Sequence, residues 1–251
     1  MIVARKTSEV AVIPVRMASS RFPGKPLAPL LGLPMIEHVF RRTMLCSQLD
    51  DVYVATCDEE IRYVAEGFGA KVIMTSASHE RATDRVAEAA EHFEADVVVM
   101  IQGDEPMITP EMIDTALDPF RLDKSISCVN LVHRITSQQE FLDPNTIKVV
   151  ADANGNALYF SRAPIPHVDF EETTEKILKQ VCVIPFTRSC LQEFSRLPPT
   201  PLERAESIDM LRLLEHGRSV RLAETHVVTH SVDTPADLQL VQTMMNHEDL
   251  D

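Results

Sequence analysis

The chain has 251 residues, of which 45% are hydrophobic, and a formal net charge of −14 at pH 7. This acidic excess would repel phosphate backbones, which argues against a nucleic-acid partner and against an anionic membrane surface. No apolar run reaches the length of a membrane span and no signal-like segment is visible, so we expect a cytoplasmic protein without a membrane partner. The five cysteines form no CxxC pair, which disfavours a disulfide framework or a zinc site.

The first half of the chain alternates β-branched runs with amphipathic patterns. Buried strands are predicted at 10–15, 51–56, 71–74 and 96–102. Helices are predicted between them, starting near residues 35, 59 and 83. This alternation predicts right-handed crossovers, so we expect an α/β fold with a mixed, mainly parallel sheet flanked by helices.

Beyond about residue 120, strand patterns dominate in SISCVNLVHRI, NTIKVVAD and ALYFSR. They predict a smaller inserted β-rich lobe around 121–200 within a single domain that spans 1–251. Asn154-Gly155 predicts a hairpin turn, because the pair would supply the positive φ angles that a tight turn needs. One strong helix is predicted over 200–217, followed by a strand at SVRLAET and a last helix at TPADLQLVQTMMN.

The loop after the first predicted strand concentrates positive charge. It reads RMASSRFPGK and contains Arg16, Ser19, Arg21, Gly24 and Lys25. Ligands of open α/β sheets bind at the carboxyl ends of the strands, so cations and main-chain amides in this loop favour a phosphate site. A solvated basic loop is the alternative, since neither GxxxxGK[ST] nor GxGxxG is present.

Two aspartates follow apolar strands elsewhere. Asp104 lies in IQGDEP after the most apolar strand, and Asp233 lies in HSVDTPADL. Carboxylates placed in this way suit Mg²⁺, which prefers oxygen ligands and bridges phosphates. Each aspartate alone is also typical of a helix cap. Together they predict a metal site facing a triphosphate on the first loop.

Six ordered stretches form one pattern: IPVRMASSRFPGKPL, ATDR, QGDEP, LYFSRAPIP, PPTPLE and VDTPADL. From about residue 9 to 245 the chain resembles the CMP-Kdo synthetases, the 3-deoxy-manno-octulosonate (Kdo) cytidylyltransferases. The resemblance implies a Rossmann-like nucleotide-diphospho-sugar transferase fold and a homodimer. It also implies that CTP and an eight-carbon keto-sugar acid form a CMP-sugar for lipopolysaccharide synthesis, with release of pyrophosphate.

The resemblance also implies roles for individual residues. Arg16, Ser19, Arg21 and Lys25 would bind the triphosphate, with Thr83 and Arg85 near the nucleotide. Asp104 and Asp233 would hold Mg²⁺ and, with Arg16 and Lys25, form the catalytic set. Gln102 and Arg162 would contact the sugar acid.

The chain departs from the family at positions that line the sugar pocket there. HIGIY of the family is QVCVI at 180–184, and LEQLR is IDMLR, which places Gln180, Asp209 and Met210 on the sugar side. A family subgroup activates an 8-amino analogue of Kdo, and Asp209 could pair with its ammonium. We therefore expect 8-amino-Kdo as the sugar, with ordinary Kdo as the alternative.

Another departure lies on the nucleotide side, where SGTDR of the family is RATDR, with Arg81 and Ala82.

Two further functions remain open. An altered pocket is also consistent with a catalytically silent protein that binds nucleotide sugars. A CMP-sialate synthetase shares the style of the first loop, but QGDEP and LYFSRAPIP disfavour it.

Overall fold

The computed structural model of the chain describes residues 7–18 and 21–246. The strands are β1 (Glu9–Pro14), β2 (Pro29–Leu30), β3 (Leu33–Pro34), β4 (Asp51–Thr56), β5 (Lys71–Met74), β6 (Val97–Ile101), β7 (Val129–Arg134), β8 (Lys148–Ala151), β9 (Ala157–Ser161), β10 (Leu178–Gln180), β11 (Val183–Thr187) and β12 (Arg221–Thr225). The α-helices are α1 (Met35–Met44), α2 (Glu59–Gly67), α3 (Ala82–Ala89), α4 (Pro110–Leu122), α5 (Gln138–Leu142), α6 (Arg188–Arg196), α7 (Pro201–Glu206), α8 (Met210–Glu215) and α9 (Pro235–Met245). Within these ranges, no helix combines the length and apolar character that crossing a bilayer requires.

The first sheet has five strands in the order β11-β6-β1-β4-β5. β1 pairs in parallel with β4 and β6, and β4 pairs in parallel with β5, whereas β11 is antiparallel to β6. β1 and β6 are buried along their whole length, as expected for central strands covered on both faces. The four strand predictions in the first half of the chain are confirmed.

Helices cover both faces of the first sheet. On one face, Ile36 and Phe40 of α1 and Met112 of α4 join a core with alternate strand residues. On the other face, Val86 of α3 and Phe194 of α6 join a separate core. The amphipathic patterns therefore form helices because each has an apolar side that the sheet can bury.

The second sheet also has five strands, in the order β12-β7-β10-β8-β9. β10 is antiparallel to both β7 and β8, and β8 and β9 form an antiparallel hairpin. β12 joins this sheet from outside the predicted lobe of 121–200, while β11, inside that range, pairs with the first sheet. The division into one domain and a lobe stays a prediction.

The single helix predicted over 200–217 is wrong. The chain forms two short helices, α7 and α8, and Ser207 between them adopts a left-handed φ of 57°. Periodicity did not reveal the break, because the apolar spacing continues through it. Arg81 Nη1 donates to the Ser207 hydroxyl at 2.5 Å, so a distant residue contacts the turn.

The turn prediction at Asn154-Gly155 is correct in place but wrong in conformation. Only Gly155 has a positive φ, of 79°. The Asp152 carboxylate accepts hydrogen bonds from the main-chain amides of Asn154 and Asn156, both at 2.8 Å. This aspartate-centred turn allows Asn154 to keep a negative φ.

Candidate active site

A cleft lies at the carboxyl ends of β1 and β6, where a parallel sheet places its functional loops. One part is a cavity of about 300 Å³ that reaches the second sheet, and the other is a neighbouring cavity of about 350 Å³. Both are lined by Arg16, Arg21, Lys25, Arg81 and Asp104, so they form one cleft. The topology thus brings together residues that are far apart in sequence.

The loop after β1 provides three of the cations in this cleft. Arg16 Nη1 donates to the His79 carbonyl at 3.3 Å, and Arg21 Nη2 lies 2.9 Å from Asp233 Oδ1. Gly24 has a φ of 73° immediately before a short 3₁₀ helix that begins at Lys25, a conformation that favours glycine. Ser19, the other predicted phosphate ligand, lies outside the described residues.

Lys25 contacts both predicted metal ligands. Its Nζ donates to Asp104 Oδ2 at 2.7 Å and to the Val232 carbonyl at 2.8 Å, and it lies 3.5 Å from Asp233 Oδ1. Burial lowers the pKa of Lys25, but the two carboxylates outweigh this effect and the net pKa is raised. The pKa of Asp233 is raised, mainly by burial and by the charge of Asp104.

Neither aspartate caps a helix. The helix after Asp104, α4, is capped by Thr109, whose hydroxyl accepts from the Met112 amide. The helix after Asp233, α9, is capped by Thr234, whose hydroxyl accepts from the Asp237 amide. Both capping alternatives are therefore wrong.

Gly103 allows the backbone to turn into the cleft after β6. A Cβ added to it would lie 2.1 Å from Val15 Cγ1, so only glycine fits without a shift of the β1 loop. The Asp104 carbonyl accepts from the Val232 amide at 2.9 Å, which joins this turn to the segment before α9. Asp104 and Asp233 are thus placed side by side by main-chain contacts.

The donor set at this turn fits a hard cation. Asp104 Oδ1 is buried and has no hydrogen-bond partner among the described residues. The same residues contain no group of three or more His, Cys, Asp or Glu side chains able to hold a metal. Two carboxylates with one free oxygen suit Mg²⁺, which takes its remaining ligands from phosphates and water.

Glu105 is a buried carboxyl that is not among the residues predicted for the site. It is 3% exposed, accepts from the Cys182 amide and the Thr229 hydroxyl at 3.3 Å each, and lines the smaller cavity. Burial, together with the charge of Asp104, raises the pKa of Glu105 to about 7. Its position directly after Asp104 was the available signal.

The residues predicted for the sugar all line the 300 Å³ cavity. They are Gln102, Arg162, Gln180, Asp209 and Met210. Cys182 and Ile184, which also depart from the family pattern, line the same cavity. The substitutions are therefore grouped in space although they are separated in sequence.

Asp209 is already well bonded. Its Oδ2 accepts from the Thr83 hydroxyl at 2.8 Å and from the Thr83 amide at 3.1 Å, and its Oδ1 lies 3.9 Å from Arg81 Nε. Burial raises the pKa of Asp209, opposed by the bonds from Thr83 and the charge of Arg81. An ammonium at Asp209 would therefore lie beside an existing cation.

The two residues predicted near the nucleotide occupy different places. Arg85 lines the 350 Å³ cavity and donates to the Thr75 hydroxyl. Thr83 is fully buried and lines neither of the two cavities. Thr83 therefore lies behind Asp209, beside the 300 Å³ cavity, rather than on the surface of the 350 Å³ cavity.

Comparison with known proteins is consistent with this geometry. A family model described as Cytidylyltransferase matches residues 10–224. The 3-deoxy-manno-octulosonate cytidylyltransferase of Geobacter metallireducens is 46% identical over 241 residues, which cover 92% of this chain and 95% of the relative. The enzyme of the same name from Pelobacter propionicus is 46% identical over 238 residues, covering 91% of this chain and 93% of the relative.

Solved structures agree with the expected fold. The structure of a CMP:2-keto-3-deoxy-manno-octonic acid synthetase complexed with CTP superposes with a TM-score of 0.87 at 41% identity, covering 96% of this chain and 99% of that chain. A cytidylyltransferase from Leptospira borgpetersenii has a TM-score of 0.66 at 18% identity, covers 96% of this chain and 88% of that chain, and supports the fold alone. The nucleotide-diphospho-sugar transferase fold is confirmed, and the chain belongs to the cytidylyltransferase family of CTP-dependent transferases.

Proposed function

We propose that this protein transfers cytidylate from CTP to Kdo and releases pyrophosphate, as a step of lipopolysaccharide synthesis. The observation that carries the proposal is the carboxylate pair of Asp104 and Asp233, which faces Arg16, Arg21 and Lys25 where the two cavities meet. Cations beside paired carboxylates suit a metal-bound triphosphate. The names of the relatives support Kdo as the acceptor.

The chemistry is an in-line displacement at the α-phosphorus of CTP. The anomeric hydroxyl oxygen of the sugar bonds to this phosphorus and gives up its proton to water, and the bond from phosphorus to the oxygen that bridges to the β-phosphate breaks, so that pyrophosphate leaves. No covalent protein nucleophile is needed. The residues act by positioning and by stabilising charge, which supply most of the rate in such reactions.

The catalytic residues have separate roles in this proposal. Asp104 and Asp233 hold Mg²⁺, which neutralises phosphate charge when bound. Arg16, Lys25 and Arg21 bind the triphosphate oxygens, together with Ser19. Arg85 lies on the nucleotide side, and Thr83 acts by orienting Asp209.

The sugar acid occupies the 300 Å³ cavity in this proposal. Arg162 provides a cation, and Gln102 and Gln180 provide amide groups that suit hydroxyls and a carboxylate. Gln180 Nε2 donates to Asn130 Oδ1 at 2.6 Å. This bond fixes the orientation of the Gln180 amide and therefore of its carbonyl oxygen. Met210 adds an apolar wall.

8-Amino-Kdo is a second candidate for the sugar. Five residues that depart from the family pattern line one cavity, which is consistent with a changed sugar; they are Gln180, Cys182, Ile184, Asp209 and Met210. Altered polar groups discriminate strongly between substrates, because unpaired partners are costly. The bonds of Asp209 to Thr83 and its nearness to Arg81 weaken its case as an ammonium partner. The relatives are named for Kdo, so Kdo comes first.

The test is pyrophosphate release from CTP and Mg²⁺, with Kdo and 8-amino-Kdo compared side by side. We expect turnover with Kdo, and we expect Asp104→Asn to lower turnover by about 10²-fold or more because one metal ligand is lost. Asp114→Asn is the matched control. This aspartate lies on α4, outside the cleft, and contacts the Cys46 thiol, so its variant should retain turnover.

Each outcome separates the alternatives. A strong preference for the amino sugar would replace Kdo by its analogue. CTP binding without pyrophosphate release from either sugar would indicate a silent nucleotide-sugar protein. Unchanged turnover of the Asp104→Asn variant would refute the metal assignment.

We also propose a homodimer that acts in the cytoplasm. The location follows from CTP as substrate, since this nucleotide is made and used inside the cell. The homodimer follows from the family resemblance, and a test of it is given below.

A further inference from the structure

Lys148, at the start of β8, is a cation held entirely inside the protein. Its side chain is 0% exposed. Its ammonium donates to three carbonyl oxygens, those of Asp143 at 2.8 Å, Thr146 at 2.7 Å and Arg162 at 2.6 Å. Because an ammonium has three protons, all of its donors are used, and all three acceptors are main-chain groups.

Burying a lysine at this position costs free energy. Removing an ammonium from water disfavours its charged form, and burial accordingly lowers the pKa of Lys148. A methionine would fill a similar volume without this penalty. The role of Lys148 therefore lies in the segments whose carbonyl groups its three hydrogen bonds connect.

The three carbonyls belong to two segments that form one wall of the 300 Å³ cavity. Asn145, Thr146 and Ile147 line the cavity from the loop before β8, and Arg162 lines it from the residue after β9. Arg162 Nη1 also donates to the Pro144 carbonyl at 2.9 Å. The ammonium lies behind this wall, since Lys148 itself is not among the lining residues.

A second set of contacts fixes the same arginine from the other side. Arg162 Nε donates to the Glu206 carbonyl at 2.7 Å, and the Arg162 amide donates to Glu206 Oε2 at 2.9 Å. The Ser161 hydroxyl donates to Glu206 Oε1 at 2.7 Å. With α7 holding Arg162 in this way, Lys148 determines how close the loop 143–147 comes to it.

We propose that Lys148 is a positioning residue for the sugar acid: it fixes the spacing between loop 143–147 and Arg162, and so shapes the sugar part of the cleft without touching the substrate. The inference rests on the proposed function, because it takes the 300 Å³ cavity as the sugar site. A 1 Å displacement of such a wall is enough to change catalysis strongly.

Steady-state kinetics of Lys148→Met and Lys148→Gln test the proposal. We expect the KM for Kdo to rise about tenfold or more in Lys148→Met, and less in Lys148→Gln, which keeps two donors. The KM for CTP should change much less than the KM for Kdo, because loop 143–147 reaches the nucleotide part of the cleft through the hydrogen bond that Arg21 donates to Asn145 and does not line that part itself. If Lys148→Met does not fold, Lys148→Gln still tests whether the KM for Kdo rises.

Leu191→Ala controls for a general loss of stability. Leu191 is a fully buried core residue of α6 and lines neither cavity. We expect this variant to unfold at a lower temperature with an unchanged KM for Kdo. Hydrogen–deuterium exchange gives a readout that needs no turnover, and the amides of Asp143 and of 145–147 should exchange faster in Lys148→Met than in Leu191→Ala.

The outcomes are distinguishable. An unchanged KM for Kdo in Lys148→Met, or a rise that Leu191→Ala reproduces, would overturn the proposal. A wild-type protein that releases no pyrophosphate would overturn the proposed function instead. In that case unchanged exchange at 143–147 would still overturn the role of Lys148 in holding the wall.

Discussion

Lys25 lies where, in the proposed function, a divalent cation and a triphosphate both bind. Its ammonium is 2.7 Å from Asp104 Oδ2 and 3.5 Å from Asp233 Oδ1, so it neutralises part of the charge that would attract Mg²⁺. A phosphate oxygen is an equally good acceptor for an ammonium. We therefore expect CTP to draw Lys25 away from the carboxylates as it delivers the metal.

Lys25→Met tests this exchange directly. We expect its affinity for CTP to fall about tenfold or more, because a charge-assisted bond is lost. Its affinity for Mn²⁺ without nucleotide should rise by about tenfold, because the carboxylates lose their internal competitor. Calorimetry with CTP and electron paramagnetic resonance of bound Mn²⁺ measure the two affinities.

Lys71→Met is the matched control for Lys25→Met. Lys71 also pairs with an aspartate, Asp51, at 2.5 Å, but it is 62% exposed and lies outside the cleft. Its removal should leave both affinities unchanged. Equal Mn²⁺ binding by the wild type and Lys25→Met in the absence of CTP would contradict the exchange.

Helices α3, α7 and α8 meet through a buried charge cluster. The Arg212 guanidinium donates to Glu203 at 2.7 and 2.9 Å and to Asp84 at 2.8 and 3.1 Å, and it lies 4.1 Å from the ring centroid of Phe194. Burial raises the pKa of Glu203, but bonds from Arg212 and the Thr200 amide outweigh it and the net pKa is lowered. The broken helix is stabilised by this cluster rather than by its own length.

Arg212→Met should lower the free energy of unfolding by about 3 kcal/mol at pH 7, because buried Glu203 loses both hydrogen bonds from the guanidinium and retains the Thr200 amide and Arg81 Nε, which is 3.4 Å away. The lowered pKa of Glu203 means that its contribution is full above the unfolded pKa of about 4.3 and is lost as pH falls through the lower folded value. The difference between the wild type and the variant should therefore shrink from pH 7 to pH 3. Urea unfolding at a series of pH values measures it.

Glu203→Gln provides the comparison for this pH dependence. When Arg212→Met is added to Glu203→Gln, no carboxyl titrates at position 203. The loss of unfolding free energy caused by Arg212→Met should then vary less with pH. A difference that stays constant between pH 7 and pH 3 would show that Glu203 does not contribute in this way. A cost below about 1 kcal/mol would place the pair among weak surface bridges.

Elements with strong local signals could be predicted from the sequence. β1 and β6 are β-branched runs long enough to be unambiguous, and the last helix is predicted where α9 begins, although its cap is Thr234 rather than Asp233. The break at Ser207 could not be predicted, since contacts from Arg81, 126 residues earlier, accompany its left-handed conformation. Local pattern carries no information about such contacts.

In the cleft, too, some residues could be predicted from the sequence and others could not. The loop with Arg16 and Lys25, and the strand-end aspartates, could be predicted because the topology of a parallel sheet brings strand ends together. Lys148 could not be predicted as important, since a lysine within IKVV looks like the exposed position of a strand. Its burial depends on three carbonyls that only the folded chain brings to it.

The whole molecule carries a net charge of −14, and it nevertheless concentrates cations in one part of the cleft. Arg16, Arg21, Lys25, Arg81 and Arg85 line the 350 Å³ cavity, where the acidic side chains are those of Glu80 and Asp104. In the 300 Å³ cavity, basic and acidic side chains balance. A locally positive cavity in an acidic protein suits a small anionic substrate and continues to disfavour a nucleic-acid partner.

The proposed homodimer belongs to the scale of the whole molecule, and we expect its interface in the lobe of 121–200. Leu158 on β9 is 62% exposed within this range, so its apolar side chain is available to be covered by a second copy of the chain. If this surface is the interface, Leu158→Asp should bury a charge there and shift a dimer to a monomer in light scattering coupled to size-exclusion chromatography. Tyr63→Asp is the matched control, because Tyr63 is 80% exposed on α2, outside the lobe, and its variant should remain a dimer. A monomeric wild type would refute the homodimer, and a dimeric Leu158→Asp variant would move the interface away from β9.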